Sequence, residues 1–244
     1  MIVLSAGMKK SGSTWLFHLI NDLLISDGNQ DSFQILRYLP RPAKLGRPYY
    51  LQLLIAAIPH FMGKTYTIKT HAPPSVLISK LVSSGAMKVI YSYRDPRDCA
   101  LSMYDFGSRL RSENRLILPK ASKLFTVEQA IIRMKEQVNI WADWNSFNSA
   151  LMIRYEDLKK DPIGQLRSIS RLLDLQIPEE KLSAIISKYD KRNLSTSVES
   201  AVKFNKGESN RYIREFTPEQ LNLSNEVFSP YLSQMGYPTH HYQN

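Results

Sequence analysis

The chain is poor in cysteine, in long apolar runs and in clustered metal-binding side chains. Its single thiol, Cys99 among 244 residues, excludes an intrachain disulfide framework and fits a reducing compartment, so a cytoplasmic location is expected. Cys99 follows a strand pattern among apolar neighbours, where a buried, inert thiol is expected. The most apolar later stretch, 51–59, is too short to span a bilayer. The first residues read as a strand rather than as a basic segment leading into a long apolar one, so no secretory signal is expected. No His/Cys or Asp/Glu grouping has ligand spacing, so no metal is expected. Internal repeats and low-complexity stretches are lacking. Acidic charge is in the minority: 22 Asp and Glu against 32 Lys and Arg leave a net +10. Such an excess suits a polyanionic ligand, a nucleic acid or an acidic surface without choosing among them. The basic residues are scattered rather than gathered in one run, and no nucleic-acid motif is present.

What is present begins at the start of the chain. Residues 2–6 form an apolar strand pattern, residues 7–13 a small-residue turn with Lys9 and Lys10, and a helix follows from Thr14. Backbone N–H groups at such a turn and the dipole of the following helix favour an anion. The spacing is close to a Walker A loop, Gly-x4-Gly-Lys-[Ser/Thr]. Gly7, Gly12 and Thr14 fit, but Ser13 stands at the lysine position and the cations lie upstream.

Helical spacing recurs through Trp15, Leu16, Leu19, Ile20, Leu23 and Leu24. Residues 28–63, with Pro40, Pro42, Pro48 and Pro59, read as an irregular excursion such as a lid or substrate-facing loop. Further strands are expected at 66–70, 87–93 and 150–154. Asp95-Pro96-Arg97-Asp98 opens a helix, with Asp95 as cap and Pro96 at the first position. The stretch 108–125 reads as a second basic, irregular loop. An amphipathic helix is expected from Val127, through Ala130, Ile131, Met134, Val138, Trp141 and Trp144. Others are expected near 162–174 and 178–190. Residues 203–214 interrupt the helices, and Thr217-Pro218-Glu219-Gln220 starts the last one. Strands separated by helices predict an α/β fold, one domain over 1–244 with a central parallel sheet covered by helices on both faces. Ligands in such sheets lie beyond the carboxyl ends of the strands.

Two more polar clusters follow strands. Lys69-Thr70-His71 ends the second, and a histidine there suits general-base work. Arg94 leaves the third just before a helix, with Ser102 eight residues on; its guanidinium fork suits a phosphate. Two separate anion sites and a histidine suggest a nucleotide phosphorylated at two places. Two other classes fit the same residues. A P-loop kinase or NTPase would need a lysine at Ser13 and a magnesium carboxylate after a strand, for which Asp95 is the nearest candidate. A non-catalytic nucleic-acid or anion-binding module would need only the charge.

At these residues the chain resembles the sulfotransferases that use 3′-phosphoadenosine 5′-phosphosulfate (PAPS). Met8-Lys9-Lys10-Ser11-Gly12-Ser13-Thr14-Trp15 is similar to the family's first motif, Lys69-Thr70-His71 to its second, and Arg94 to Ser102 after Val89-Ile90-Tyr91 to its third. Tyr155-Glu156-Asp157-Leu158, Lys206-Gly207, Phe216-Thr217 and Met235-Gly236-Tyr237 keep the family's order.

The resemblance implies a P-loop-NTPase-like three-layer fold. It implies PAPS as sulfuryl donor, adenosine 3′,5′-bisphosphate (PAP) as product, no metal and no nucleic-acid partner. Lys10 would meet the phosphosulfate and its leaving oxygen. Ser11, Gly12, Ser13 and Thr14 would bind the 5′-phosphate, and Trp15 and Tyr155 would lie near adenine. Arg94 and Ser102 would hold the 3′-phosphate, with Lys206 and Gly207 closing over it. His71 would take the acceptor's proton, with Lys69 near the transferring group. The acceptor would be a hydroxyl of a small molecule, glycan or lipid, shaped by segments 31–63 and 105–125. Asn205 stands where the family often has arginine, with Lys203 as a possible substitute. Lys9 replaces a usual proline, and Tyr189 is the candidate for the adenine stack.

Overall fold

Four short segments, three of them almost wholly buried, pair into one parallel sheet. They are β1 (Ile2–Gly7), β2 (Tyr66–Thr70), β3 (Met87–Tyr93) and β4 (Ala150–Arg154), in the order β2-β1-β3-β4. The computed structural model describes residues 1–38, 44–45, 49–113, 125–189 and 207–239. The chain falls into two compact units, one of Met1–Gly7, Gly12–Tyr93 and Asp143–Phe204, the other of Met8–Ser11, Arg94–Ala142 and Asn205–Asn244.

The sheet belongs to the first unit. Its register pairs Val3 with Thr67 and Lys88, and Ser5 with Lys69 and Ile90. Paired residues of neighbouring strands share a face, and the face alternates along each strand. Val3 and Ile90 therefore point with Leu151 and Ile153 into one apolar cluster. Helices α1 (Ser13–Ser26), α8 (Pro162–Leu172) and α9 (Glu179–Ser187) complete it through Leu16, Leu19, Ile20, Leu23, Leu166, Ile169, Leu182 and Ile185. The same alternation sends Lys69 towards α1 while its neighbours Ile68 and Thr70 face the other way. On that opposite face Tyr91 packs against Trp144, ring centroids 5.8 Å apart, and the Trp144 indole N–H donates to the Ala72 carbonyl at 2.9 Å. Short helices α4 (Val76–Ser83) and α7 (Tyr155–Lys160) flank β3 and β4.

The outer edge of β2 is closed by the preceding chain. The Thr67 N–H donates to Ser32 Oγ at 2.9 Å, and the Lys69 carbonyl accepts from Leu45 N–H at 2.8 Å. Ser32 begins α2 (Ser32–Ile35).

Residues 28–63 are not all irregular as expected. A 13-residue helix, α3 (Tyr49–Phe61), runs through them with Pro59 inside. Pro59 lacks the N–H that would bond the Ile55 carbonyl. The Tyr38 hydroxyl donates to that carbonyl instead, at 3.3 Å, so a bond lost to the proline is replaced by a side chain from outside the helix. Residues 39–43 and 46–48 of the expected lid lie outside the described residues.

The second unit is helical. α5 (Pro96–Ser112) starts as expected, with the Asp95 side chain accepting from Arg97 N–H at 2.9 Å. It also runs through 108–112, which had read as loop. Its terminal arginines, Arg109 and Arg111, face the negative end of the helix dipole, where cations are favourable. Residues 114–124 lie outside the described residues. α6 (Val127–Asn145) enters the first unit with its last turn. α10 (Tyr212–Glu215) and α11 (Pro218–Leu232) end the second, the latter with the expected Thr217/Gln220 capping box. No helix among the described residues is long and apolar enough to cross a membrane.

Candidate functional site

The turn after β1 is shaped by two glycines and one strained lysine. A Cβ at Gly7 would lie 2.1 Å from Ser92 Oγ on the neighbouring strand, so only glycine lets β1 end this close to β3. Gly12 has φ +77°, and a Cβ there would lie 2.7 Å from the Tyr155 ring. Lys10 is one of three non-glycine residues with positive φ among the described residues, at 71°. Left-handed backbone costs an ordinary residue about 1–2 kcal/mol, and such strain persists where the surroundings hold it.

Gly12 is the N-cap of α1 and supplies no side-chain cap. The first turn's N–H groups have no partner within the helix, and they point out at the start of α1. Within the second unit, Lys9 N–H donates to Gln137 Oε1 at 3.0 Å, and both the N–H and the hydroxyl of Ser11 turn back to the Met8 carbonyl, at 3.4 and 2.8 Å. Lys10 Nζ lies 4.5 Å from the centroid of the Phe106 ring. Ser13 is buried, and so is Trp15, which meets the Tyr155 ring edge-on with centroids 6.4 Å apart.

In the first unit, the Lys69 ammonium is buried and donates to Thr14 Oγ1 at 2.6 Å. The sheet register places it there. His71 sits just past β2, half-buried, with Nδ1 2.6 Å from the Gly7 carbonyl. A carbonyl only accepts, so Nδ1 carries the proton of this bond. In the neutral ring Nε2 is then the basic nitrogen.

In the second unit, Arg94 is buried before α5. Its Nη2 donates to Asp98 Oδ2 at 3.2 Å and also to the Glu208 carbonyl. The structure thus brings Arg94 to Glu208, the residue after Gly207, which has φ +66°. Asp98 Oδ2 also accepts from Asn210 N–H at 2.8 Å, and Oδ1 from Tyr212 N–H at 3.3 Å. Burial pushes the Asp98 carboxyl above the usual carboxylate range, against the pull of the Arg94 charge. Ser102 is buried one helical turn beyond Asp98, on the same face of α5. Lys203, Asn205 and Lys206 lie outside the described residues. Tyr189 belongs to the apolar cluster of the first unit, its hydroxyl donating to Asp22 at 2.8 Å.

Two participants were not singled out from sequence. Gln137 carries a signal: it falls on the apolar stripe of α6, between Met134 and Trp141, where a buried amide needs a partner. Asp98 carries none beyond its place in the acidic first turn.

The family model described as the sulfotransferase domain matches residues 2–236. Rat "Sulfotransferase 1 family member D1" is 25% identical over 192 residues, 75% of this chain and 62% of that protein. The luciferin sulfotransferase of Photinus pyralis is 26% identical over 202 residues, 75% of this chain and 54% of that one. The chain thus spans less than two thirds of these relatives' length. Among solved structures, mouse sulfotransferase SULT7A1 complexed with PAP is similar at TM-score 0.63 and 19% identity, over 94% of this chain and 83% of that one. Retinol dehydratase in complex with androsterone and PAP is similar at TM-score 0.62 and 20% identity, over 95% and 80%. These two likenesses show the shared fold. Because the family model covers nearly all of both units, the chain belongs to the sulfotransferase domain family.

Proposed function

We propose that the chain transfers a sulfuryl group from PAPS to an acceptor hydroxyl, with PAP as the second product. The observation that carries this reading is the left-handed Lys10 turn leading into the uncapped N-terminus of α1. Such a terminus offers N–H donors and a positive dipole end to a 5′-phosphate. Ser11, Gly12, Ser13 and Thr14 belong to that cradle. The ammonium–ring contact of Lys10 with Phe106 is worth about 0.5–1 kcal/mol when exposed. A charge-assisted bond to an oxyanion is worth about 1.5–3 kcal/mol, so the phosphosulfate would draw Lys10 away and receive its charge on the leaving oxygen.

The S–O bond to the 5′-phosphate breaks as the acceptor oxygen bonds to sulfur in line with it. The bonding electrons go to the phosphate oxygen, and His71 Nε2 takes the acceptor's proton. Lys69, already bound to Thr14, belongs near the transferring group. By analogy with phosphoryl transfer, rate comes mainly from positioning and fixed charge. Arg94, Ser102, Lys206 and Gly207 take the 3′-phosphate, and Trp15 and Tyr155 lie near adenine. The acceptor is read as a small-molecule hydroxyl, in keeping with one relative named for luciferin and one structural neighbour titled with androsterone. Segments 31–63 and 105–125 of this single domain are proposed to shape its pocket. No metal or nucleic acid takes part, and the location is cytoplasmic, consistent with the lone buried Cys99.

PAP at about a hundredfold over its Kd should stabilise the chain by about 2.7 kcal/mol, or about 5–10 °C in Tm, without magnesium. A larger shift with Mg-ATP would favour the kinase reading. Incubation with PAPS and mixed hydroxyl compounds should give products heavier by one sulfuryl group.

A further inference from the structure

We infer that Asp98 is a positioning residue for the 3′-phosphate site, holding Arg94 and the 208–212 segment in one arrangement through a single carboxylate. The inference rests on the proposed use of PAPS. Asp98 is 1% exposed, yet its two oxygens carry three donors: Arg94 Nη2, Asn210 N–H and Tyr212 N–H. Arg94 donates in turn to the Glu208 carbonyl, which closes a ring within the second unit from Arg94, through the first turn of α5, to the segment beside Gly207. Asn210, whose N–H is held in this ring, has φ 62°, a backbone state an ordinary residue keeps only under restraint.

The arrangement has a chemical consequence. A guanidinium recognises a phosphate through the direction of its fork, and a buried guanidinium without a counter-charge is costly. Asp98 neutralises Arg94 and fixes its direction while making no contact with nucleotide itself. The same carboxylate holds the Asn210 and Tyr212 backbone, just beyond Gly207. The two parts expected to take one phosphate are thereby held by one side chain, over 110 residues apart in sequence. A first-turn acid placed only to complement the helix dipole would not need the downstream amides.

The measurement is 3′-phosphate selectivity, the ratio of the Kd for adenosine 5′-monophosphate to that for PAP, by titration calorimetry. Asp98→Asn removes the charge at nearly constant shape. It should lower the ratio about tenfold or more, with affinity for the monophosphate unchanged. In an Arg94→Ala background it should have little further effect, because the two act as one unit. Equal weakening of both nucleotides, or additive losses in the double variant, would overturn the inference and leave Asp98 a general structural residue. Should Asp98→Asn fail to fold, Asp98→Glu keeps the charge and displaces it by one methylene; selectivity should still fall, and full wild-type selectivity would sink the idea. A wild-type chain with no preference for PAP would instead remove the functional reading itself. Wild-type selectivity that both variants retain would remove only the role of Asp98.

Discussion

His71→Ala should lower kcat by about 10²–10⁴, the usual worth of a positioned general base, while leaving PAP binding nearly intact. The geometry separates the two effects. His71 is held by the Gly7 carbonyl through Nδ1, whereas the expected phosphate donors are the loop and the start of α1. His71→Asn is the sharper variant, since its amide N–H can replace the Nδ1 donor to Gly7 but offers no basic nitrogen. It should fold like the wild type, bind PAP like the wild type and turn over no faster than the alanine variant. Added imidazole should restore part of the alanine variant's rate. Pre-steady-state assays with PAPS and any accepted alcohol read all three; full turnover in His71→Asn would take His71 out of the chemistry.

The second large effect is expected at Gly12. Gly12→Ala adds a methyl group to a residue with φ +77° and places it 2.7 Å from the Tyr155 ring. The backbone state costs about 1–2 kcal/mol, and overpacking typically about 1–3 kcal/mol. The sum is a loss of about 2–5 kcal/mol, or about 4–20 °C in Tm for a chain of this size. PAP affinity should fall with it, because the strain is relieved by moving the very turn that presents the N–H groups. Adding Tyr155→Ala removes the ring and should recover the packing share but not the backbone share. Recovery of the whole loss would mean that φ at position 12 matters little. Thermal melts and PAP titration of the single and double variants separate the two shares.

Much of this arrangement is legible in the chain itself. The first strand is legible as an apolar run, the second by alternation and the third by its Val, Ile and Tyr, and the caps at Asp95 and Thr217 by residue type and spacing. The loop, the strand-end histidine and Arg94 are legible as candidates because each stands just past the end of a strand. What escapes is what depends on partners distant in sequence. α3 reads as loop because Pro59 removes a helix bond, and the Tyr38 hydroxyl that replaces it comes from outside the helix. Residues 108–112 read as loop because their charge masks a helix end that benefits from it. The bond between Lys69 and Thr14 needs the register of β2 against β1, which no local pattern states. Asp98 satisfies a local rule so well that its partners at Asn210 and Tyr212 leave no trace.

The sealed outer margin of β2 bears on self-association. An unpaired strand edge is a template on which another molecule can add a strand. Here two groups on that edge, the Thr67 amide and the Lys69 carbonyl, are already taken by Ser32 and Leu45. The Ser32 hydroxyl supplies one of these two closures. Ser32→Ala should leave the chain folded and yet raise light scattering on concentration, and scattering equal to the wild type's would show that the margin is guarded by something else. Lys69 therefore serves twice, its carbonyl closing the edge of β2 and its ammonium reaching Thr14 from the face.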